Sequence, residues 1–509
     1  MKITLPSALA RPLLLFVALA SATLTAHGAA VSQCKYVNVG ELPLLLSGPA
    51  LKPLIEGNIN GQSATMLLDT GAQNSAITSP GAARFHLNER ITGRHVQGIG
   101  GLARLYNVRV DQLGVGPIRS KPLYLDVIAD SGMSMPFDAI IGADFLFQAD
   151  IEIALADKTV RFFRPLDCDA NSHLAYWASD AVVVPLTGSF GRSKNNTFTV
   201  ELNGVKFDAI IDTGADRSVV FERAAAKAGV PPGHPSSRKA GTVAGIGTDI
   251  LATRSAVFGS FAIGGETIRD AELLVLPDSS AIGPAGGKAD VLLGADFLRS
   301  HRLLFAMSQR QLYLNYLGGE VFERDSQGIP AWLQKEADGG NPDALLALAG
   351  RYASGRSVPR DMARATALLE QGAAKEHGAS MMALAEVRTR SGQHAQAAAL
   401  TSRAAAARPD ERRLWLLLYL ARVRAGEHAL GTSELEQKLA ADRSRPWPAP
   451  VADFFLGRSD GAALLATAGS EHGCEARGWM ASSAQARGDT VQATALTAER
   501  LRACPAGPR

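Results

Sequence analysis

The sequence predicts a multidomain protein in which an all-β region of two similar lobes is followed by an all-α helical-repeat domain. A set of motifs occurs twice in the same order, and strand-like segments fill both copies. After residue 325 the composition changes to one typical of helices. The 509 residues are enough for roughly three domains of ~150 residues. We predict a first lobe at 41–165, a second lobe at 181–317 and helical repeats at 326–509.

Composition and charge exclude several classes of protein. Hydrophobic residues make up 46% of the chain and charged residues 20%, which suits ordinary buried cores. The formal net charge of +3 is too small for a protein that binds nucleic acid by neutralising phosphates. Beyond the N-terminal segment, the sequence contains no run of ~20 apolar residues, which is the length that spans a membrane.

Residues 1–30 predict a secretory signal peptide. Lys2 and Arg11 precede an apolar run at 12–22, and small residues follow as far as Ala30. The alternative is a membrane anchor that is not cleaved. A signal peptide implies an exported mature chain, either periplasmic or secreted.

The chain contains four cysteines, which permit three pairings. Pairing Cys34 with Cys168 and Cys474 with Cys504 is the simplest choice, because each pair then lies within one folded unit. An oxidising compartment would support disulfides. Four free thiols are the alternative, and the lack of a CxxC motif argues against a zinc site.

Three motifs recur in both lobes, and each is built around Gly or Asp. The first ends in Asp-Thr-Gly-Ala, the second is rich in glycine, and the third ends in Gly-Ala-Asp-Phe-Leu. Asn-Gly pairs upstream of the first motif are typical of tight hairpin turns between strands. The motifs are NINGQSATMLLDTGA (58–72) and ELNGVKFDAIIDTGA (201–215), VQGIGG (96–101) and VAGIGT (243–248), and DAIIGADFL (138–146) and DVLLGADFL (290–298).

The Asp-Thr-Gly motifs carry the candidate chemistry. Asp69 and Asp212 each follow a buried strand, where a carboxylate is costly to desolvate unless hydrogen bonds hold it. Gly71 and Gly214 would let the chain turn tightly, so that backbone N–H groups approach the carboxylate. Two such loops that face each other would bring both carboxylates together, and the pair would share one proton. One carboxylate could then take a proton from water while the protonated one polarises a carbonyl group.

These motifs resemble those of retropepsin-like aspartic proteases, a group that includes retroviral proteases and bacterial relatives. The resemblance covers residues 41–317 and rests, in each copy, on the strand that enters DTGA, a glycine-rich flap and a hydrophobic-hydrophobic-Gly signature. It implies an all-β bilobal acid-protease fold, with two β-barrel lobes on one chain as in pepsin.

The resemblance also implies a role for each matching residue. Asp69 and Asp212 would be the catalytic pair that binds the attacking water, and Thr70 and Thr213 would brace the two loops against each other. No metal ion or organic cofactor is implied. The remaining positions are active-site loop support (Gly71, Ala72, Gly214 and Ala215), flaps that bind substrate (Gly98, Ile99, Gly100, Gly101, Gly245, Ile246 and Gly247) and signature glycines (Gly142 and Gly294).

Some positions depart from the family pattern. Ala143 and Ala295 follow the signature glycines, where many retroviral enzymes have an arginine that forms an ion pair. The flaps also lack the tyrosine that pepsins have at the tip.

Asp144 and Asp296 are a second pair of repeated carboxylates. They follow the signature glycines at the point where a short helix is expected to begin. We therefore predict that they cap this helix, in preference to a catalytic role.

After residue 325 the sequence predicts paired helices. Residues 344–379 predict two helices joined by a turn at 355–359, in a unit that repeats at about 35 residues. The proline-rich stretch at 442–453 predicts a break. The pattern resembles Sel1-like and tetratricopeptide repeats, which implies a curved surface suited to peptides or proteins. The alternative is a plain helical bundle that only packs against the lobes.

Taken with the resemblance, these features predict an exported aspartic endopeptidase. Its substrate would be a protein or peptide, and the helical repeats would bind substrate or a protein partner. We expect a monomer whose two lobes form a pseudo-dimer within one chain. We expect no nucleic-acid partner. The sequence has neither an HExxH nor a GxSxG motif for other hydrolytic chemistries. The alternatives are an inactive periplasmic peptide-binding scaffold and a protein whose halves pair between chains.

Overall fold

A computed structural model describes residues 34–48, 50–116, 118–129, 135–187, 196–278, 289–324, 328–409, 411–442 and 445–504. The predicted signal peptide lies outside these residues. Two β-rich lobes are followed by a stretch of helices, which confirms the predicted fold class.

The first lobe contains thirteen strands and two short helices among the described residues. They are β1 (Lys35–Pro43), β2 (Leu45–Ser47), β3 (Lys52–Ile59), β4 (Gln62–Leu68), β5 (Ala76–Thr78), α1 (Ser79–Arg84), β6 (Arg90–Gly98), β7 (Gly101–Val110), β8 (Leu113–Val115), β9 (Ile118–Arg119), β10 (Leu123–Ile128), β11 (Ala139–Ile141), α2 (Ala143–Leu146), β12 (Asp150–Ala154) and β13 (Thr159–Leu166).

The second lobe repeats this order with fewer, longer strands. They are β14 (Val182–Pro185), β15 (Phe198–Leu202), β16 (Val205–Ile211), β17 (Val219–Phe221), α3 (Glu222–Lys227), β18 (Arg238–Ala244), β19 (Ile250–Ile263), β20 (Glu266–Leu276), β21 (Val291–Leu293), α4 (Ala295–Leu298), β22 (His301–Ala306) and β23 (Gln311–Tyr316).

Each lobe has its own sheet. The strand order is β6-β7-β10-β5-β11-β4-β3-β8-β9 in the first lobe, where β2 also pairs with β3. In the second lobe the order is β15-β16-β21-β17-β20-β19-β18, and an additional pairing of β15 with β19 closes the sheet into a barrel. The hairpin turn of the first motif has positive φ at both Asn60 (52°) and Gly61 (80°), as the predicted tight turn requires.

A third sheet joins the lobes. Its six strands run in the order β1-β13-β12-β22-β23-β14, so β12 of the first lobe pairs with β22 of the second. Ile151 lies opposite Phe305 in this pair, and both side chains are fully buried. The sheet fixes the two lobes to each other through the backbone as well as through apolar packing.

The disulfides follow the simplest predicted pairing. Cys34 bonds to Cys168, which ties the start of β1 to the segment after β13. Cys474 bonds to Cys504 within the helical region. Each bridge therefore lies within one folded unit, as expected.

The helical region consists mainly of consecutive helices that pack as antiparallel pairs. Asn341 caps the start of α6, and Gly355 ends that helix with a φ of 74°, so the predicted turn is confirmed. No helix among the described residues combines the length and the apolar character needed to cross a bilayer. The helices are α5 (Ala331–Asp338), α6 (Pro342–Ser354), α7 (Met362–Ala374), α8 (Gly378–Arg390), α9 (His394–Ala407), α10 (Arg412–Arg424), α11 (His428–Ala441), α12 (Ala449–Phe455), α13 (Gly461–Ala486, kinked at Gly469) and α14 (Thr490–Ala503).

The predicted break at 442–453 is too long. Helix α12 begins at Ala449 with Pro450 in its first turn, where a proline needs no N–H partner. The break is therefore confined to the residues between α11 and α12.

Candidate active site

Each Asp-Thr-Gly loop begins at the end of a central strand. The strand that carries the hydrophobic-hydrophobic-Gly signature pairs with this central strand. In the first lobe β11 lies parallel to β4, with Ile140 opposite Leu67. The N–H of Asp69 then donates to Ile141 O at 3.0 Å. The second lobe repeats this with β21 and β16, and Asp212 N–H donates to Leu293 O at 2.9 Å. The repeated signature thus fixes where each carboxylate emerges from its sheet.

Each carboxylate accepts two backbone hydrogen bonds from its own loop. Asp69 Oδ1 accepts from the N–H groups of Gly71 at 3.0 Å and Ala72 at 2.9 Å. Asp212 Oδ1 accepts from the two equivalent N–H groups at 2.8 and 3.2 Å. These bonds hold one oxygen of each carboxyl group toward its loop.

The two carboxyl groups meet where the lobes face each other. The carboxyl groups of Asp69 and Asp212 lie close enough for each to affect the ionisation of the other. A Cβ atom added to Gly71 would lie 2.3 Å from Cγ of Asp212, and one added to Gly214 would lie 2.6 Å from Oδ2 of Asp69. Each glycine therefore touches the opposite carboxyl group, and any side chain there would push the pair apart.

The pKa of Asp212 is raised well above its ordinary value of 3.8. The largest cause is burial, since the residue is only 7% exposed, followed by the charge and hydrogen bond of Asp69. Lys52 and the N–H of Gly214 act in the opposite direction. Asp212 consequently keeps a proton at pH values where an exposed Asp has lost it.

Two buried threonines lock the loops together across the lobe interface. Thr70 Oγ1 donates to Ile211 O at 2.8 Å, and Thr213 Oγ1 donates to Leu68 O at 2.5 Å. Each hydroxyl also accepts from the other threonine's backbone N–H, at 3.0 and 3.2 Å. These four bonds tie the two loops to each other across the lobe interface.

The signature glycines lie directly beneath the active-site loops. A Cβ atom on Gly142 would lie 2.7 Å from the backbone carbon of Asn74, and one on Gly294 would lie 2.6 Å from that of Arg217. Only glycine lets the loop backbone approach this closely.

Asp144 and Asp296 brace these loops, and the prediction that they cap helices is wrong. Helices α2 and α4 have the preceding glycine at the N-cap and no side-chain cap. Asp144 Oδ1 instead accepts from the N–H and hydroxyl of Ser75, at 2.8 and 2.7 Å. Asp296 Oδ1 accepts equivalent bonds from Ser218 at 2.8 and 2.6 Å. The carboxylates turn toward the loops because the serine offers two donors there.

The two glycine-rich segments contact each other. Gly100 N–H donates to Ile246 O at 2.9 Å, and Asp249 N–H donates to Gly100 O at 2.9 Å. Gly98, Gly101, Gly245 and Gly247 surround these contacts, and Gly100 and Gly247 form a short parallel bridge.

The isoleucines of the two flaps cross to opposite lobes. Ile99 packs against an apolar cluster of the second lobe that contains Ile210 and Leu292, beside Ala215. Ile246 packs against the matching cluster of the first lobe, which contains Leu67. Each flap thus packs against the apolar cluster of the lobe it does not belong to.

Sequence reasoning missed two polar residues at the loops. Lys52 Nζ donates to Gly214 O at 2.5 Å and contacts Asp216 Oδ1 at 2.8 Å. Asn196 is buried, and its Nδ2 donates to Thr70 O at 3.1 Å and to Ile211 O at 2.8 Å. Neither residue recurs when the two copies are aligned, so the repeat gave no signal for them. The available signal was their position at or just before the strand that leads into each Asp-Thr-Gly hairpin, since Lys52 begins β3 and Asn196 precedes β15.

The described residues include no group of three or more His, Cys, Asp or Glu side chains placed to hold a metal ion. The arrangement at the lobe interface is a pair of adjacent carboxyl groups, each held by two backbone N–H donors of its own loop.

A family model described as aspartyl protease matches the chain twice, over residues 55–145 and 198–297. The two matches coincide with the two β-rich lobes and include both Asp-Thr-Gly motifs, and they support aspartic protease activity in general. A comparison with curated proteins finds no match.

Proposed function

We propose that the chain is an aspartic endopeptidase in which Asp69 and Asp212, one from each lobe, activate a water molecule to hydrolyse peptide bonds. The observation that carries this proposal is the meeting of the two carboxyl groups at the lobe interface, where each touches the glycine of the opposite loop. The aspartyl protease match over both lobes supports it independently.

The chemistry follows from one shared proton. The ionised carboxylate takes a proton from water as the water oxygen bonds to the peptide carbonyl carbon. The protonated carboxyl group gives its proton to the carbonyl oxygen, which produces a neutral tetrahedral intermediate. When the C–N bond breaks, the protonated carboxyl group gives its proton to the leaving amine. The ionised one takes a proton from a hydroxyl group of the intermediate, so one carboxyl group is again protonated. No metal ion or cofactor takes part.

The flaps would hold an extended substrate over the dyad. Ile99 and Ile246 supply apolar contacts above the two loops, and the glycines leave backbone groups free of side-chain cover. Because the flap tips bond to each other, they must separate for a peptide to enter.

The protein is proposed to act as an exported monomer. The two disulfides favour an oxidising compartment, and the sheet that joins the lobes favours pairing within one chain. Sel1-like or tetratricopeptide repeats are proposed for the helical region, where paired helices support binding of substrate or a partner protein.

Peptide-library cleavage across pH 3–8 tests the enzyme proposal. Asp69→Asn and Asp212→Asn should each reduce kcat/KM by about 10²-fold or more, since one member of the acid–base pair is lost. Asp111→Asn is the matched control, because Asp111 is exposed and remote from the dyad. Tight peptide binding without cleavage by the wild type would instead identify a scaffold.

A groove in the helical region offers a test of substrate selection. Its volume is ≈200 Å³, and Trp415, Leu418 and Tyr419 line it. Leu418→Asp should leave cleavage of a short peptide unchanged and weaken cleavage of the protein substrate. Equal loss on both substrates, or loss on neither, would contradict a selecting role.

A further inference from the structure

A charged side chain crosses from the first lobe to the active-site loop of the second. Lys52 stands at the start of β3 and is 13% exposed. Its Nζ donates to Gly214 O at 2.5 Å, and the N–H of the same glycine donates to Asp212 Oδ1 at 2.8 Å. Asp216 completes the contact as an ion pair at 2.8 Å. Lys52 therefore holds the glycine whose backbone N–H holds the Asp212 carboxylate.

The sequence provides this crossing charge pair only once. With the two copies aligned at their Asp-Thr-Gly motifs, Lys52 corresponds to Asn195 and Asp216 corresponds to Gln73. Both replacements are neutral, so these two residues cannot form an ion pair with each other. The sequence thus places a charge pair beside the Asp212 loop at positions that are neutral in the other copy.

The residue before Lys52 belongs to the core of the helical region. Leu51 is 1% exposed and lies in the same apolar cluster as Leu333 of α5 and Leu345 of α6. A hydrogen bond also holds the β2–β3 hairpin to the helices, since Asn341 Nδ2 donates to Leu46 O at 3.0 Å. The helical region therefore packs against the residue immediately before the lysine.

The helices also contact the second lobe next to the same loop. The Arg299 guanidinium lies over the Trp332 ring of α5, 3.6 Å from its centroid. Glu323 forms an ion pair with Arg351 of α6, and its carbonyl accepts from Arg217 at 2.5 Å. Arg217 directly follows Asp216, so the loop that bears Asp216 is linked through Glu323 to α6.

We propose that Lys52 is a positioning residue for the Asp212 half of the dyad, and that the helical region holds it in place through Leu51. This inference rests on the proposed protease function. The charged groups that act on Asp212 are Asp69 and Lys52, and Lys52 itself faces Asp216. Its positive charge favours the ionised forms of the dyad and so keeps the active range at lower pH.

The pH dependence of kcat/KM on a peptide substrate, measured with the full chain, tests the role of Lys52. Lys52→Met should shift both the acidic and the basic limb of this pH profile to higher pH by about half a unit to one unit, and it should lower kcat. Lys52→Arg keeps the charge and should restore the limbs. Limbs that stay in place in Lys52→Met would overturn the positioning role, even if the variant is less stable.

A pair of leucine variants tests the contribution of the helices. Leu51→Ala should shift the limbs in the same direction as Lys52→Met and reduce kcat. Leu416→Ala removes an equally buried leucine from a separate helical cluster and should change only thermal stability. If the two variants behave alike, the helical region does not position Lys52. If the wild type cleaves no peptide, the protease function itself fails, and this inference fails with it.

Discussion

The two lobes share the same loop chemistry but differ in what surrounds it. Each has an aspartate that accepts two loop N–H bonds, a threonine that reaches across the interface, and an aspartate bonded to a serine. The second lobe differs because Lys52 contacts its loop and because its loop aspartate is more deeply buried than Asp69. The comparison teaches that a repeated motif sets the chemistry, whereas unrepeated neighbours set the properties of each half.

The threonine pair is where the lobes should be most alike. Thr70→Val or Thr213→Val should each lower the free energy of unfolding by about 3 kcal/mol, because a buried carbonyl and N–H lose their partners. Chemical denaturation measures this cost.

The exposed Thr187→Val is the matched control for the threonine pair and should cost about 0.5 kcal/mol or less. A clear inequality between the two buried variants would show that the lobes are not equivalent at this contact.

The serine–aspartate contacts should differ in strength between the two lobes. Asp296 is buried, so Asp296→Ala should cost about 2 kcal/mol by leaving Ser218 without its acceptor. Asp144 is exposed, so water can replace it and Asp144→Ala should cost about half as much. The two values come from denaturant unfolding, and the reverse order would contradict the burial argument.

The dependence of stability on pH should report the buried carboxyl groups. Burial raises the pKa values of Asp212 and Asp296, so the folded chain binds protons that the unfolded chain has released. The stability that these two groups contribute should therefore be highest below pH 3.8. It should fall as the pH rises toward their raised pKa values.

Replacing one of these groups shows its share of the pH effect. Asp212→Asn should make the free energy of unfolding fall less as the pH rises, by about 1.4 kcal/mol for each unit of pKa shift that it removes. Unfolding measured from pH 4 to 8 checks this, with Asp111→Asn as an exposed control. An unchanged slope in Asp212→Asn would contradict the raised pKa.

Sequence reasoning predicted those parts of the protein that repeat. The Asp-Thr-Gly loops, their signature strands and the hairpin at Asn60 are local patterns, and each folds as its residues require. The contacts of Lys52 and Asn196 could not be predicted, because they join segments more than 100 residues apart through single polar groups.

Other misses have the same physical origin. Asp144 was assigned to a helix cap because the local pattern favours it, but Ser75, far away in the sequence, offers two donors. The apolar packing of Leu51 among helices that follow 280 residues later has no local signal either.

The central claim is that one chain supplies both members of the dyad. Co-expression of Asp69→Asn with Asp212→Asn tests it most directly, because pairing between chains would rebuild one intact dyad in the mixed dimer. We predict that the co-expressed variants cleave peptide no faster than either variant alone, while the wild type is active as a monomer. Recovery of cleavage in the mixture would contradict the account and place the two halves of each site on different chains.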